Sequence, residues 1–116
     1  MKYKNKTIKF AANLIPLIKN GAKTFTYRIG DKYEYLKKGD RVMVQEGGGN
    51  DGVIFAEVKI TEKYHTTFAS IPFNRNGHEK YSSKQEMRET FKRYYKQEIK
   101  DDQDFLVFGF KVIKLL

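Results

Sequence analysis

Cysteine and tryptophan are absent from the 116-residue chain, and proline and histidine occur twice each. Without cysteine there can be no disulfide, thiolate zinc site, iron–sulfur cluster or cysteine nucleophile. His65 and His78 leave little for a transition-metal site, so neither a cofactor nor an obligatory metal is expected. No apolar run approaches the ~20 residues that cross a bilayer, and no charged-then-apolar leader opens the sequence. The expectation is a cytoplasmic protein with no membrane partner. Carboxylates are the scarce charge: 14 Asp and Glu face 23 Lys and Arg, for a net charge of +9. The excess runs through both halves of the chain rather than sitting in a tail. A domain this basic attracts polyanions, which points to RNA or a nucleotide-like piece of it as partner.

What is present suffices for a core. The chain is 40% hydrophobic and 15% aromatic, with nine Phe and eight Tyr, which excludes global disorder. No repeat, low-complexity tract or linker breaks it, and residues 1–116 read as one domain. Thr7–Phe10 alternates as a first strand, and Asn13–Gly21 reads as a short helix with Pro16 in its first turn and Asn20-Gly21 as its stop. Lys23–Ile29, rich in Thr and aromatics, is predicted as strand two and Arg41–Glu46 as strand three. Gly47–Gly52 has hairpin-loop composition; no Lys-Ser/Thr follows it and no helix opens after it, as a phosphate loop would require. Val53–Glu62 is predicted as strand four, Thr66–Ile71 as a helical turn and Pro72–Tyr81 as a polar loop.

Ser83-Lys84-Gln85-Glu86 is a capping box, and Met87, Phe91, Tyr94 and Tyr95 follow at helical spacing. Phe105–Ile113 is nearly all apolar and is predicted as a central strand. The fold class expected from this order is α+β: a small barrel or half-barrel of about five or six strands with two main helices at its rim.

Gly21-Ala22-Lys23-Thr24-Phe25-Thr26-Tyr27-Arg28 has the form G-x-K-x-x-T-x-R, directly after the short helix. This segment resembles the signature of ASCH domains, relatives of the PUA RNA-binding fold. Gly39-Asp40 before a strand, Thr67-Phe68, His78-Glu79 ahead of a helix ending in Tyr94-Tyr95, and Phe110 in the last strand follow in the family's order. The resemblance spans residues 7 to 114. It implies a PUA-like β-barrel with a cleft lined by the G-x-K-x-x-T-x-R segment. The family includes an amidohydrolase acting on N4-acetylcytidine, and ribonuclease activity has also been ascribed to ASCH proteins. Carried over residue by residue, the amidohydrolase's Lys and Thr fall on Lys23 and Thr26, and its Glu on Glu79 with one residue gapped; Glu86 is the alternative carboxylate.

These residues suit amide hydrolysis. A threonine hydroxyl needs a base to take its proton. A neutral lysine can serve, yet at the ordinary pKa only about 0.04% is neutral at pH 7. Burial and nearby positive charge, such as Arg28, would have to disfavour the ammonium by about 4 kcal/mol. A carboxylate at position 79 could then pass a proton to the leaving amine. Geometry sets a condition: in a regular strand Lys23 and Thr26 point to opposite faces, while Thr24, Thr26 and Arg28 share one. Lys23 joins Thr26 only if it lies in the turn after Gly21. Read without the resemblance, Thr24 and Thr26 are ordinary β-formers and Lys23 a solvated charge.

The remaining candidates, Thr24 among them, are for substrate or RNA binding. Arg28 suits a phosphate or a substrate carbonyl, or else a rim ion pair. His78 can orient Glu79 or shuttle a proton, or be a loop histidine with no role. Lys84, Arg88, Lys92 and Lys96 recur every four residues, as a phosphate-tracking stripe or a solvated face. Tyr94 and Tyr95 could stack on bases, though their spacing from Phe91 puts at least one in the core. Two functions therefore stand open: hydrolysis of an amide on a modified nucleoside by Lys23, Thr26 and Glu79, or a non-catalytic RNA-binding module, with metal-independent RNA cleavage as a variant using the same cleft.

Overall fold

The computed structural model describes residues 6–47 and 52–116. Residues 48–51, most of the predicted glycine hairpin loop, lie outside the described residues.

Five strands form one mixed sheet: β1 (Thr7–Phe10), β2 (Phe25–Arg28), β3 (Arg41–Glu46), β4 (Ile54–Thr67) and β5 (Asp104–Leu115). Their order across the sheet is β1-β3-β4-β5-β2. Only β1 and β3 run parallel; every other neighbouring pair is antiparallel. A 3-10 turn at Ala12–Leu14 leads into helix α1 (Ile15–Lys19), a second at Phe68–Ser70 follows β4, and helix α2 spans Lys84–Tyr95.

The expected barrel closure is corrected. β1 and β2 are the two ends of the ladder, and among the described residues no strand pairing joins them. A side chain spans the gap instead: Arg28 Nη2, from β2, donates to the Lys9 carbonyl of β1 at 2.9 Å. A four-residue β2 already matched to β5 leaves the open edges to be bridged by this one guanidinium. The sheet is therefore an open one, bent by register shifts between Val44 and Gln45, Glu57 and Val58, and Ile60 and Glu62.

β4 runs five residues past the predicted Glu62, because its far half pairs with β5 from Gly109 back to Asp104. β5 is an inner strand, and Phe105 to Phe110 are all buried, as a strand covered on both faces requires. Leu106, Phe108 and Phe110 join a core with Ile8, Val42 and Val58, whereas Phe105 and Val107 join a second core with Phe68, Met87 and Phe91. Each large side chain so buried contributes about 1.5–3 kcal/mol. α2 is held over the second core by Met87 and Phe91. Ser83 Oγ accepts from the Glu86 amide at 3.0 Å, and Glu86 Oε1 accepts from the Ser82 amide at 2.5 Å. Glu86 is thereby committed to the cap, which removes it as the alternative site carboxylate. Among the described residues no helix is long and apolar enough to cross a membrane.

Candidate active site

β2 begins two residues later than predicted, and the site depends on those two residues. Gly21 takes a φ of +83° and ends the α1 turn. The Lys23 amide then donates back to the Leu17 carbonyl at 3.0 Å, so Lys23 lies in the connection and not in the pleat. Next, the Thr24 and Phe25 amides both donate to the Gly77 carbonyl, at 2.7 and 3.1 Å. This double bond docks the 72–81 loop onto the start of β2. Gly77 has a φ of +88°, and a Cβ there would stand 2.3 Å from Thr24 Oγ1, so both its conformation and the close approach require glycine. The two residues after it are His78 and Glu79.

The docked loop brings Glu79 to Lys23. Their Nζ and Oε2 atoms are 2.6 Å apart, and Lys23 is only 3% exposed. Thr26, 4% exposed, lines the same pocket, a cavity of about 240 Å³. Its Oγ1 accepts from Arg28 Nε at 2.9 Å. The Arg28 guanidinium lies against two aromatic rings, 4.7 Å from the Phe10 centroid and 5.1 Å from that of Tyr33. Aromatic side chains of Tyr27, Tyr81, Phe91, Tyr94 and Tyr95 complete much of the wall.

Electrostatics follow from this burial. Burial holds the Lys23 pKa below the usual lysine range against the opposing pull of Glu79, and the Arg28 charge adds to the lowering. For Glu79 burial works upward, yet the Lys23 charge and the Lys23 hydrogen bond outweigh it, and its pKa lies below the usual carboxylate range. The resting pair is an ammonium and a carboxylate. His78 stacks on Tyr27 with centroids 4.4 Å apart, and burial, with the Lys23 charge, lowers its pKa to about 4. Its Nδ1 lies 3.0 Å from the Glu79 carbonyl oxygen. A carbonyl only accepts, so Nδ1 carries the proton of a neutral ring. Burial raises the phenols of Tyr81 and Tyr95 as well, that of Tyr95 to about 12, keeping both protonated.

Lys23, Thr26, Arg28, His78 and Glu79 thus share one pocket. Thr24 does not line it; its amide and hydroxyl meet the Gly77 turn behind it. Lys84, Arg88 and Lys92 lie elsewhere. Lys84 Nζ donates to the carbonyls of Ala69, at 3.1 Å, and of Ile71. Arg88 binds the Ile99 carbonyl and Asp101, and Lys92 pairs with Glu98 at 2.9 Å. Lys84 and Arg88 also cover the Phe68 ring, so both act as clamps on the second core. Of the two helical tyrosines, Tyr95 donates to the Tyr27 carbonyl at 2.8 Å and packs inward, while Tyr94 is 61% exposed at the pocket mouth. Sequence reasoning missed Gly77 and Tyr81; a loop glycine directly before His78-Glu79 was the available signal for the first. Among the described residues no group of three or more His, Asp or Glu is placed to hold a metal ion.

Solved structures share this architecture. A protein of Enterococcus faecalis V583 in the DUF984 family matches with a TM-score of 0.73 at 17% identity, over 100% of this chain and 84% of its own. The ASCH domain from Lactobacillus crispatus JV V101 matches with a TM-score of 0.71 at 17% identity, over 94% of this chain and 79% of its own. The S128A mutant of ZmASCH from Zymomonas mobilis matches with a TM-score of 0.63 at 13% identity, over 95% and 71%. The chain therefore has an ASCH-like, PUA-like α+β fold. No protein-family profile and no curated protein matches it.

Proposed function

We propose that this protein hydrolyses an amide on a modified nucleobase, of the N4-acetylcytidine kind, with Lys23 as base, Thr26 as nucleophile and Glu79 as proton donor. The observation that carries this reading is the buried 2.6 Å Lys23–Glu79 pair in a small aromatic pocket that Thr26 also lines. At rest the proton sits on Lys23. Substrate entry excludes water, and in a drier pocket the short pair favours its neutral form, an amine and a carboxylic acid. The amine takes the Thr26 hydroxyl proton as Oγ1 attacks the acyl carbon. Because Oγ1 accepts from Arg28 Nε, its own O–H is free to be donated, and the guanidinium charge steadies the developing alkoxide.

Glu79 then protonates the departing base nitrogen, the C–N bond breaks, and the acetyl group rests on Thr26 as an ester. The ammonium–carboxylate pair is restored at that point. Water attacks the ester and gives a proton to Glu79, Lys23 returns one to the Thr26 oxygen, and acetic acid leaves. A final transfer from Glu79 to Lys23 closes the cycle. His78 and Tyr27 offer a flat wall suited to a planar base.

A non-catalytic RNA-binding module or a metal-independent ribonuclease would use the same cleft. The hydrolase is preferred because a backbone-tracking groove calls for exposed cations, whereas Lys23 is buried and paired. Incubation with N4-acetylcytidine and chromatographic detection of cytidine tests the proposal. Conversion is expected; its absence with well-folded wild-type protein overturns it.

A further inference from the structure

The inner pocket adjoins a second recess of about 720 Å³, and Phe10, Ala11, Arg28, Tyr94 and Tyr95 line both. At about 240 Å³ the inner cavity is smaller than the roughly 300–1,000 Å³ typical of drug-sized ligand sites. It has room for a base and its acyl group, so the sugar and anything attached to it must lie across the Arg28 rim. The recess beyond is basic. Lys9 and Lys32 line it with Arg28, and among the described residues no carboxylate does.

Arg28 is the informative residue. Both acceptors bound to its guanidinium, Thr26 Oγ1 and the Lys9 carbonyl, are neutral. Among the described residues it has no carboxylate partner, unlike Lys6, Lys23, Lys63, Arg88 and Lys92. A half-buried cation held between the edges of a sheet, with its charge not offset, is poised for an anion. Lys32 is exposed, lines the recess and lies over the Tyr33 ring, 5.5 Å from its centroid. The exposed Tyr94 ring at the junction offers a stacking face.

We infer that this recess is a phosphate subsite, and that a nucleotide, an acylated base carrying a phosphate on its sugar, is a better substrate than the free nucleoside. The inference rests on reading the inner pocket as the base pocket. It places Arg28 at the hinge of the ligand, touching Thr26 on one side and the phosphate on the other. Lys32 supplies the second charge.

Equilibrium titration tests this without turnover, using cytidine, cytidine 5′-monophosphate, cytidine 3′-monophosphate and a cytidine trinucleotide as probes. At low salt at least one monophosphate should bind about tenfold more tightly than cytidine, and the advantage should shrink as salt rises. Lys32→Glu should erase that advantage while leaving the thermal transition in place, since the side chain is exposed. Tyr94→Ala should weaken the monophosphate severalfold. Equal binding of cytidine and both monophosphates overturns the subsite, as does a phosphate preference that survives Lys32→Glu. A preference seen only with the trinucleotide overturns the mononucleotide assignment. The two readings fail separately: phosphate preference without N4-acetylcytidine hydrolysis removes the hydrolase and keeps the subsite, and hydrolysis with no phosphate preference does the reverse.

Discussion

Two sets of basic residues look alike in the sequence and serve opposite ends in the fold. Lys84, Arg88 and Lys92 repeat along α2 at a spacing that suits a row of phosphates, yet each is occupied by a carbonyl or carboxylate of its own chain. Their charges fasten α2 and the 3-10 turn over the second core. Lys23 precedes and Arg28 ends the much shorter β2, and neither is spent on the surface. Lys23 is buried against the one carboxylate that the docked loop delivers, and Arg28, with no carboxylate partner among the described residues, lies beside a cavity. Regular spacing marks a helix face; a cation that the fold buries or leaves without a counter-ion beside a pocket marks chemistry.

Substitution at Lys23 breaks the comparison most sharply. Lys23→Met should lower N4-acetylcytidine hydrolysis by about a thousandfold or more, as loss of a base that activates a nucleophile does. Lys23→Arg should be nearly as inactive, since a guanidinium keeps its proton. Thr26→Val should match them with the circular dichroism spectrum preserved. If Lys23→Arg keeps turnover, Lys23 is not the base.

The loop is the next lever. Gly77→Ala forces a side chain into a left-handed conformation and onto Thr24 Oγ1, and should cost about 1–3 kcal/mol in a denaturant titration. Activity should fall with it, because Glu79 departs with the loop. Unchanged stability and activity would mean that the Gly77 turn does not hold the site together.

Acid should weaken the β2 side through His78 and Glu79. His78 has a folded pKa of about 4, below the ordinary 6.5, so the unfolded chain binds its proton more readily. Its contribution to stability rises as pH increases from about 4 to 6.5 and is lost on acidification through that window, worth at most about 3 kcal/mol. Glu79, also lowered, adds stability that is present above its unfolded pKa and fades as pH falls through the folded one. Urea titrations across pH 4–7 should show the slope, and His78→Asn should flatten it.

On α2 the effects should be structural and smaller. Arg88→Ala should cost about 1–2 kcal/mol through two lost charge-assisted bonds, with hydrolysis per folded molecule unchanged. Lys92→Ala, which loses only an exposed pair, should leave stability almost unchanged. A large loss of ligand binding in either would return α2 to the functional side of the comparison.

Much of this was open to reading along the chain. β1 and β3 occupy the predicted residues, because alternation over a strand with one buried face is a local signal. The start of α2 follows from a cap whose donors and acceptors lie within four residues of each other. The nature of β5 was equally plain, since an unbroken apolar run is covered on both faces wherever it lies. The G-x-K-x-x-T-x-R segment singled out Lys23, Thr26 and Arg28 from many basic and hydroxyl residues.

Tertiary structure alone decided the rest. Whether a sheet closes depends on the pairing of its two outermost strands, and no local pattern encodes the meeting of β1 with β2; here one guanidinium spans that gap. The length of β4 was set by its partner β5, about forty residues further on, which bonds it well past its own alternating stretch. Lys23 and Glu79, 56 residues apart, became a buried pair only because Gly77 could turn its carbonyl onto two amides at the head of β2. Charge count and residue type are properties of the chain, whereas burial and counter-ion are properties of the packed fold, and these separate Lys23 and Arg28 from the clamps on α2.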